Sequence, residues 1–128
     1  MKTYAGPLFG IAAAFNFAIG FALLFLRPLL FAPLGFDAAR GSNIVLANLV
    51  GMFVVLFGYC YLRVALDARK YRVYVSIGAI GKLLAVACAV APWLVGAVSP
   101  RLLMFFAPDL IFALLFLDYL RRTRAGFI

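Results

Sequence analysis

The chain contains no histidine and no glutamate, and only four aspartates and two cysteines among its 128 residues. Zinc, haem and iron sites draw their ligands from His, Cys and acidic side chains. So small an inventory excludes the usual sets, and neither metal nor cofactor is expected. Cys60 and Cys88 lie in different apolar runs and at different depths, so no disulfide is expected and both are read as small packing residues. Charge is scarce as well: 12% of residues are charged and 68% apolar, where a soluble domain carries about 25% and about 45–50%. A chain this short cannot hide so much apolar surface in its own core, because small domains leave a large share of their surface exposed. It must meet lipid, and its length allows a single domain.

What is present is long apolar runs. Four stretches, about 8–26, 44–66, 73–98 and 102–120, reach the roughly 20 residues that a membrane-crossing helix requires. No alternating pattern is sustained, and lipid tolerates only helices or closed barrels. The expected fold is therefore all-α, a four-helix transmembrane bundle filling residues 1–128. The N-terminal run is read as a retained span, since a cut after Ala14 would leave a signal peptide with too short an apolar region.

Orientation follows from basic residues, which favour the cytoplasmic side. Lys2, Arg63, Arg69, Lys70, Arg72, Arg121, Arg122 and Arg124 fall on one side, and Arg27, Arg40 and Arg101 on the other. That bias predicts both termini in the cytoplasm. The net charge of +8 sits beside span ends, where it meets anionic headgroups at about 1 kcal/mol per residue. No nucleic-acid-binding motif accompanies it, so lipid is the expected partner and nucleic acid is not. Asp118 with Arg121 and Arg122, and Arg63 with Asp67, have helical ion-pair spacing. Trp93 suits one interfacial belt, and Tyr59, Tyr61, Tyr71, Tyr74 and Tyr119 the other.

The residue that most needs explaining is Lys82, the one charge in VYVSIGAIGKLLAVACAVAPWLVGAV. An unpaired lysine at mid-membrane costs at least about 2.5–3.5 kcal/mol. Counting about 1.5 Å of rise per residue from the cytoplasmic side puts Asn16 at about 12 Å, Lys82 at about 14 Å, Asp109 at about 20 Å and Asn48 at about 24 Å. Lys82 and Asp109 are the only opposite charges at compatible depths, and they are expected to pair, with Asn16 and Asn48 nearby. Helical spacing agrees. Gly78, Lys82, Ala85 and Ala89 share a face, as do Ala12, Asn16 and Gly20, while Ala47 and Gly51 with Asn48 beside them mark a third. Small residues are where membrane helices approach closely. Pro108 removes a backbone donor beside Asp109, a break that protein or water must re-satisfy.

Several motif matches fail on inspection. Gly81-Lys82 lacks the glycine spacing and the following Ser or Thr of a phosphate-binding loop. GSNIVLANLVGMF has some likeness to the asparagine-bearing helix of small fluoride channels, whose third-helix signature has no counterpart here. Small multidrug transporters need a glutamate in the first span, and Asn16 stands there instead. Over about residues 14–120 the chain resembles an uncharacterised family of small four-helix bacterial inner-membrane proteins. The likeness rests on Phe15-Asn16 with Gly20, Pro28, Leu34-Gly35, Gly51-Met52, Gly58-Tyr59, Asp67-Ala68-Arg69, Gly78, Gly81, Lys82 and Asp109-Leu110-Ile111. Ala68 and Pro108 depart from that family's pattern of Asp-Pro-x-Arg in the turn and Asn-Asp in the fourth span. The resemblance implies the fold, a bacterial inner-membrane location and the choice of Asn16, Lys82 and Asp109. It implies no activity.

Three functions fit these residues. The first is a non-enzymatic membrane protein, as a homo-oligomer or an accessory subunit, that binds lipid or another apolar partner. The second is a small transporter or channel gated by Lys82 and Asp109. The third is an intramembrane lipid-modifying enzyme, such as an isomerase using the pair as acid and base.

Overall fold

The computed structural model describes residues 2–124. Their order is α1 (Lys2–Phe25), α2 (Arg27–Leu34), α3 (Asn43–Leu66), α4 (Arg72–Leu94) and α5 (Arg101–Thr123), with no strand among the described residues. Four of these helices, all but α2, are long and apolar enough to cross a membrane. The architecture is that of a multi-pass helical membrane protein.

Two boundaries differ from the sequence expectation. The first apolar run ends at a break of one residue, Leu26, after which the chain re-enters a short helix, α2, with proline in its first turn. Proline is at home there because its missing N–H would have had no helical partner. Gly35 closes α2 at φ 82°, its N–H donating to the Ala32 carbonyl and that of Phe36 to the Phe31 carbonyl. The third span ends at Leu94 rather than near residue 98. Gly96, at φ 77°, donates to Trp93 O and Ala97 to Pro92 O, the same left-handed closure. Apolar residues continue past Gly96 to Val98, so hydropathy alone could not place the end of α4.

The long helices form a ring in the order α1, α3, α4, α5. Small residues draw α1 and α3 together, and α4 and α5 share the other extensive seam. A Cβ built on Gly20 would lie 3.1 Å from the Gly51 carbonyl oxygen, and one on Gly51 would lie 2.9 Å from Leu24. Aromatic rings close the ring between α1 and α5: Phe9 on Phe116 at 4.8 Å and on Tyr119 at 5.3 Å, and Phe15 on Phe112 at 5.4 Å. At the end that carries the termini and the α3–α4 turn, the core is dense, with Phe9, Tyr61, Val64, Val75, Phe116 and Tyr119 all essentially sealed. Tyr61 and Tyr119 are thus core residues and not members of an interfacial belt. Both are large enough to span the centre of the bundle, and Tyr61 meets Phe116 edge-on.

Polar contacts fasten the same end. Asp118 pairs with Arg121 and Arg122, each at 2.8 Å, as their spacing predicts. Arg72 donates to Thr123 Oγ1 at 2.6 Å and to Leu120 O at 3.0 Å, tying the start of α4 to the end of α5. Arg63 does not use Asp67. Its guanidinium donates to the Tyr71 hydroxyl at 2.7 Å, and this bond lowers the Tyr71 phenol from its ordinary range. Asp67 lies past the helix end, where its Oδ1 accepts the Lys70 N–H. Leaving the helical path breaks the i,i+4 geometry that the spacing assumed.

Candidate functional site

Above the dense core the two helix pairs separate, and the polar residues lie at the boundary. Lys82 Nζ on α4 donates to Asp109 Oδ1 on α5 at 2.6 Å and to Asn16 Oδ1 on α1 at 3.2 Å. Asn16 Nδ2 in turn donates to the Val54 carbonyl on α3 at 3.1 Å. One chain of hydrogen bonds therefore links all four long helices. Asn16 and Lys82 are each 5% exposed, and the Asp109 side chain is 18% exposed.

Local sequence explains each placement. Gly58 stands one turn after Val54, and a Cβ there would meet Phe17 at 3.0 Å and Asn16 at 3.2 Å. Its bare backbone lets α1 press in until the Asn16 amide reaches a helical carbonyl that still has a free lone pair. Gly78 plays the matching part on α4, one turn before Lys82. A Cβ at Gly78 would sit 2.6 Å from the Tyr61 ring, so glycine makes room for the phenol beneath the ammonium.

Tyr61 is one of three aromatic rings around Lys82. The ammonium lies 5.4 Å from its centroid, 5.7 Å from that of Phe15 and 5.3 Å from that of Phe112. Ring quadrupoles attract a desolvated cation by up to about 2 kcal/mol. Together with the carboxylate they hold the charge where water cannot. The sequence expectation missed all three rings. Their only signal is position, Phe15 adjoining Asn16 and Phe112 lying three residues after Asp109, and in a chain with 14 phenylalanines that is a weak one.

Asn48 is not part of this cluster. It is exposed on α3, and its Oδ1 accepts the Arg27 guanidinium at 2.9 Å. Depth was compatible but rotation was not. Asn48 lies six residues before Val54, and at about 100° per residue it points about 120° away from the face that reaches the centre. Arg27 also donates to Leu23 O at 2.9 Å, so the pair caps the break between α1 and α2.

Two cavities open from the polar cluster. The larger, about 340 Å³, extends toward α2, where Phe31, Phe36, Phe105 and Phe106 roof it. Asn16 and Asp109 are its only polar lining residues. The smaller, about 230 Å³, lies between α3 and α4 and includes Lys82, Asn16 and Asp109. Its walls include Val50 and Phe53, which are 53% and 57% exposed on the outside of α3, so it opens sideways between those helices. Ala85 and Asp109 line both. The Asp109 Oδ2 oxygen has no protein donor among the described residues, and the Asp109 side chain lines both spaces.

The arrangement offers an ion pair, an amide and a free carboxylate oxygen at the base of an apolar chamber. Among the described residues no three His, Cys or Asp side chains gather as a metal ion would need. Cys60 and Cys88 are free thiols. No family model, curated protein or solved structure matches the chain.

Proposed function

We propose that this protein is a non-enzymatic membrane protein that binds a lipid or similarly apolar molecule in the chamber above Lys82, Asp109 and Asn16. The observation that carries the reading is the coincidence of a buried ion pair with a cavity of about 340 Å³ whose walls are otherwise apolar. Ligand cavities run from about 300 Å³ upward and combine apolar walls with a few polar groups that fix orientation. A pair serving only to lock helices together would be as well served by a closed interface. A transport reading asks for a path that continues below Lys82, where Phe9, Tyr61 and Phe116 close the bundle. Binding requires no such path.

The proposal places both termini on the cytoplasmic side, on the strength of the excess of Lys and Arg at that end, and takes a bacterial inner membrane from the resemblance carried by residues such as Asn16, Lys82 and Asp109. It includes assembly, as a homo-oligomer or with other membrane subunits.

Filling the chamber tests the reading. Ala85 lines both cavities, and Ala85→Phe puts a ring into them. After purification in mild detergent, extracted lipid per protein should fall at least about fivefold in the variant, with an unchanged or higher melting temperature. Equal lipid content in a folded variant would contradict the proposal.

A further inference from the structure

The chemistry at the base of the chamber narrows the class of ligand, and this step rests on the binding reading above. Lys82 and Asp109 neutralise each other at 2.6 Å. A cationic head would find its carboxylate already engaged, an anionic head its ammonium already engaged, and either would bring an unpaired charge into apolar surroundings at high cost. What the cluster leaves open is neutral valence. Asp109 Oδ2 has no protein donor among the described residues. Asn16 uses one of its two amide hydrogens on Val54 O, and Lys82 directs two of its three donors to oxygen. The base therefore presents one strong acceptor beside spare donors.

A hydroxyl satisfies both at once, since it donates one hydrogen and accepts on its lone pairs. The shape of the space sets the rest of the molecule. The larger cavity gives room around the head, and the rings of Phe31, Phe36, Phe105 and Phe106 line its end toward α2. The smaller runs from the same polar residues to Val50 and Phe53 on the outside of α3. There is room beside Gly81 in this space, where even an added Cβ would meet nothing nearer than the Phe57 ring at an ordinary 3.5 Å. We infer that the site takes a neutral, hydroxyl-headed lipid with a single apolar chain, the head on Asp109 Oδ2 and Asn16 and the chain leaving between α3 and α4.

The test uses the full chain in phosphatidylcholine vesicles and a hexadecanol probe carrying a diazirine near mid-chain. Crosslinks are mapped by mass spectrometry in the presence of hexadecanol, hexadecanoate, hexadecyltrimethylammonium or hexadecane as competitor. The expected result is labelling of Phe57, Gly81 or Ala85, displaced by hexadecanol at a mole fraction at least about tenfold lower than by any other competitor. In Lys82→Met/Asp109→Leu, where the pair is replaced by apolar groups, hexadecanol and hexadecane should compete equally. A charged competitor that matches or beats hexadecanol, with labelling still in the chamber, would overturn the ligand class and leave the binding reading standing. A preference for hexadecanol that survives in the double variant would overturn the role given to the polar cluster. Labelling confined to outward residues such as Leu46 and Met52 would overturn both.

Discussion

Lys82→Met on its own leaves the Asp109 carboxylate in an apolar chamber with no ammonium beside it. Removing one member of a buried pair costs about 3–5 kcal/mol, whereas replacing both by apolar groups is often close to neutral. Thermal unfolding in detergent should therefore show a large loss for Lys82→Met and for Asp109→Leu, and a much smaller one for the double variant. Additive losses would mean that the two groups do not depend on each other. Glycine supplies a second prediction at this scale. Gly78→Ala drives a methyl to 2.6 Å from the buried Tyr61 ring, while Gly81→Ala meets Phe57 at an ordinary 3.5 Å. Overpacking of that kind costs about 1–3 kcal/mol, so Gly78→Ala should lower the melting temperature and Gly81→Ala leave it nearly unchanged. The Lys82–Asp109 contact was legible in the sequence because so few charges lie within apolar runs that depth alone pairs them. Asn48 was misplaced for the complementary reason, since depth carries no information about rotation. The rings around Lys82 were not legible, because nothing distinguishes Phe15 or Phe112 from other phenylalanines until the helices are packed.

Among the helices, the seam between α1 and α3 depends on two backbones in close approach. Gly20→Leu would place a branched side chain where Val55 and the Gly51 carbonyl already stand, at 2.5 Å and 3.1 Å from its Cβ. Separating these helices should pull Asn16 from Val54 O and loosen the polar cluster. Hydrogen exchange would register this as faster exchange in α1 and α3 than in α4 and α5; uniform change across the helices would count against the seam. The long helices were readable because each is an apolar run of spanning length. α2 was not, because eight residues with two prolines fall short of a spanning run, although proline is tolerated in a first turn and glycine ends a helix well. The early end of α4 has the same origin: left-handed closure at Gly96 is a backbone event that hydropathy does not see.

The whole molecule is a ring of helices sealed at one end and hollow at the other, and the orientation proposed for it rests on charge. With Cys60 and Cys88 replaced by alanine, Lys70→Cys should be labelled by an impermeant maleimide only from the cytoplasmic side. Ser42→Cys and Ser99→Cys should be labelled only from the outside, and the reverse pattern would refute the orientation. The sealed end was not anticipated, since Tyr61 and Tyr119 read as members of an interfacial belt and are in fact buried. The hollow end could not be, since a cavity is a property of helices that diverge and leaves no mark on composition. The most direct test of the central claim, that the polar cluster is the base of a lipid site, is native mass spectrometry of gently solubilised wild type beside Lys82→Met/Asp109→Leu. The account predicts a hydroxyl-headed lipid on the wild type that is strongly reduced in the folded double variant, whose apolar chamber no longer selects that head. The same lipid retained in equal amount by both would contradict it.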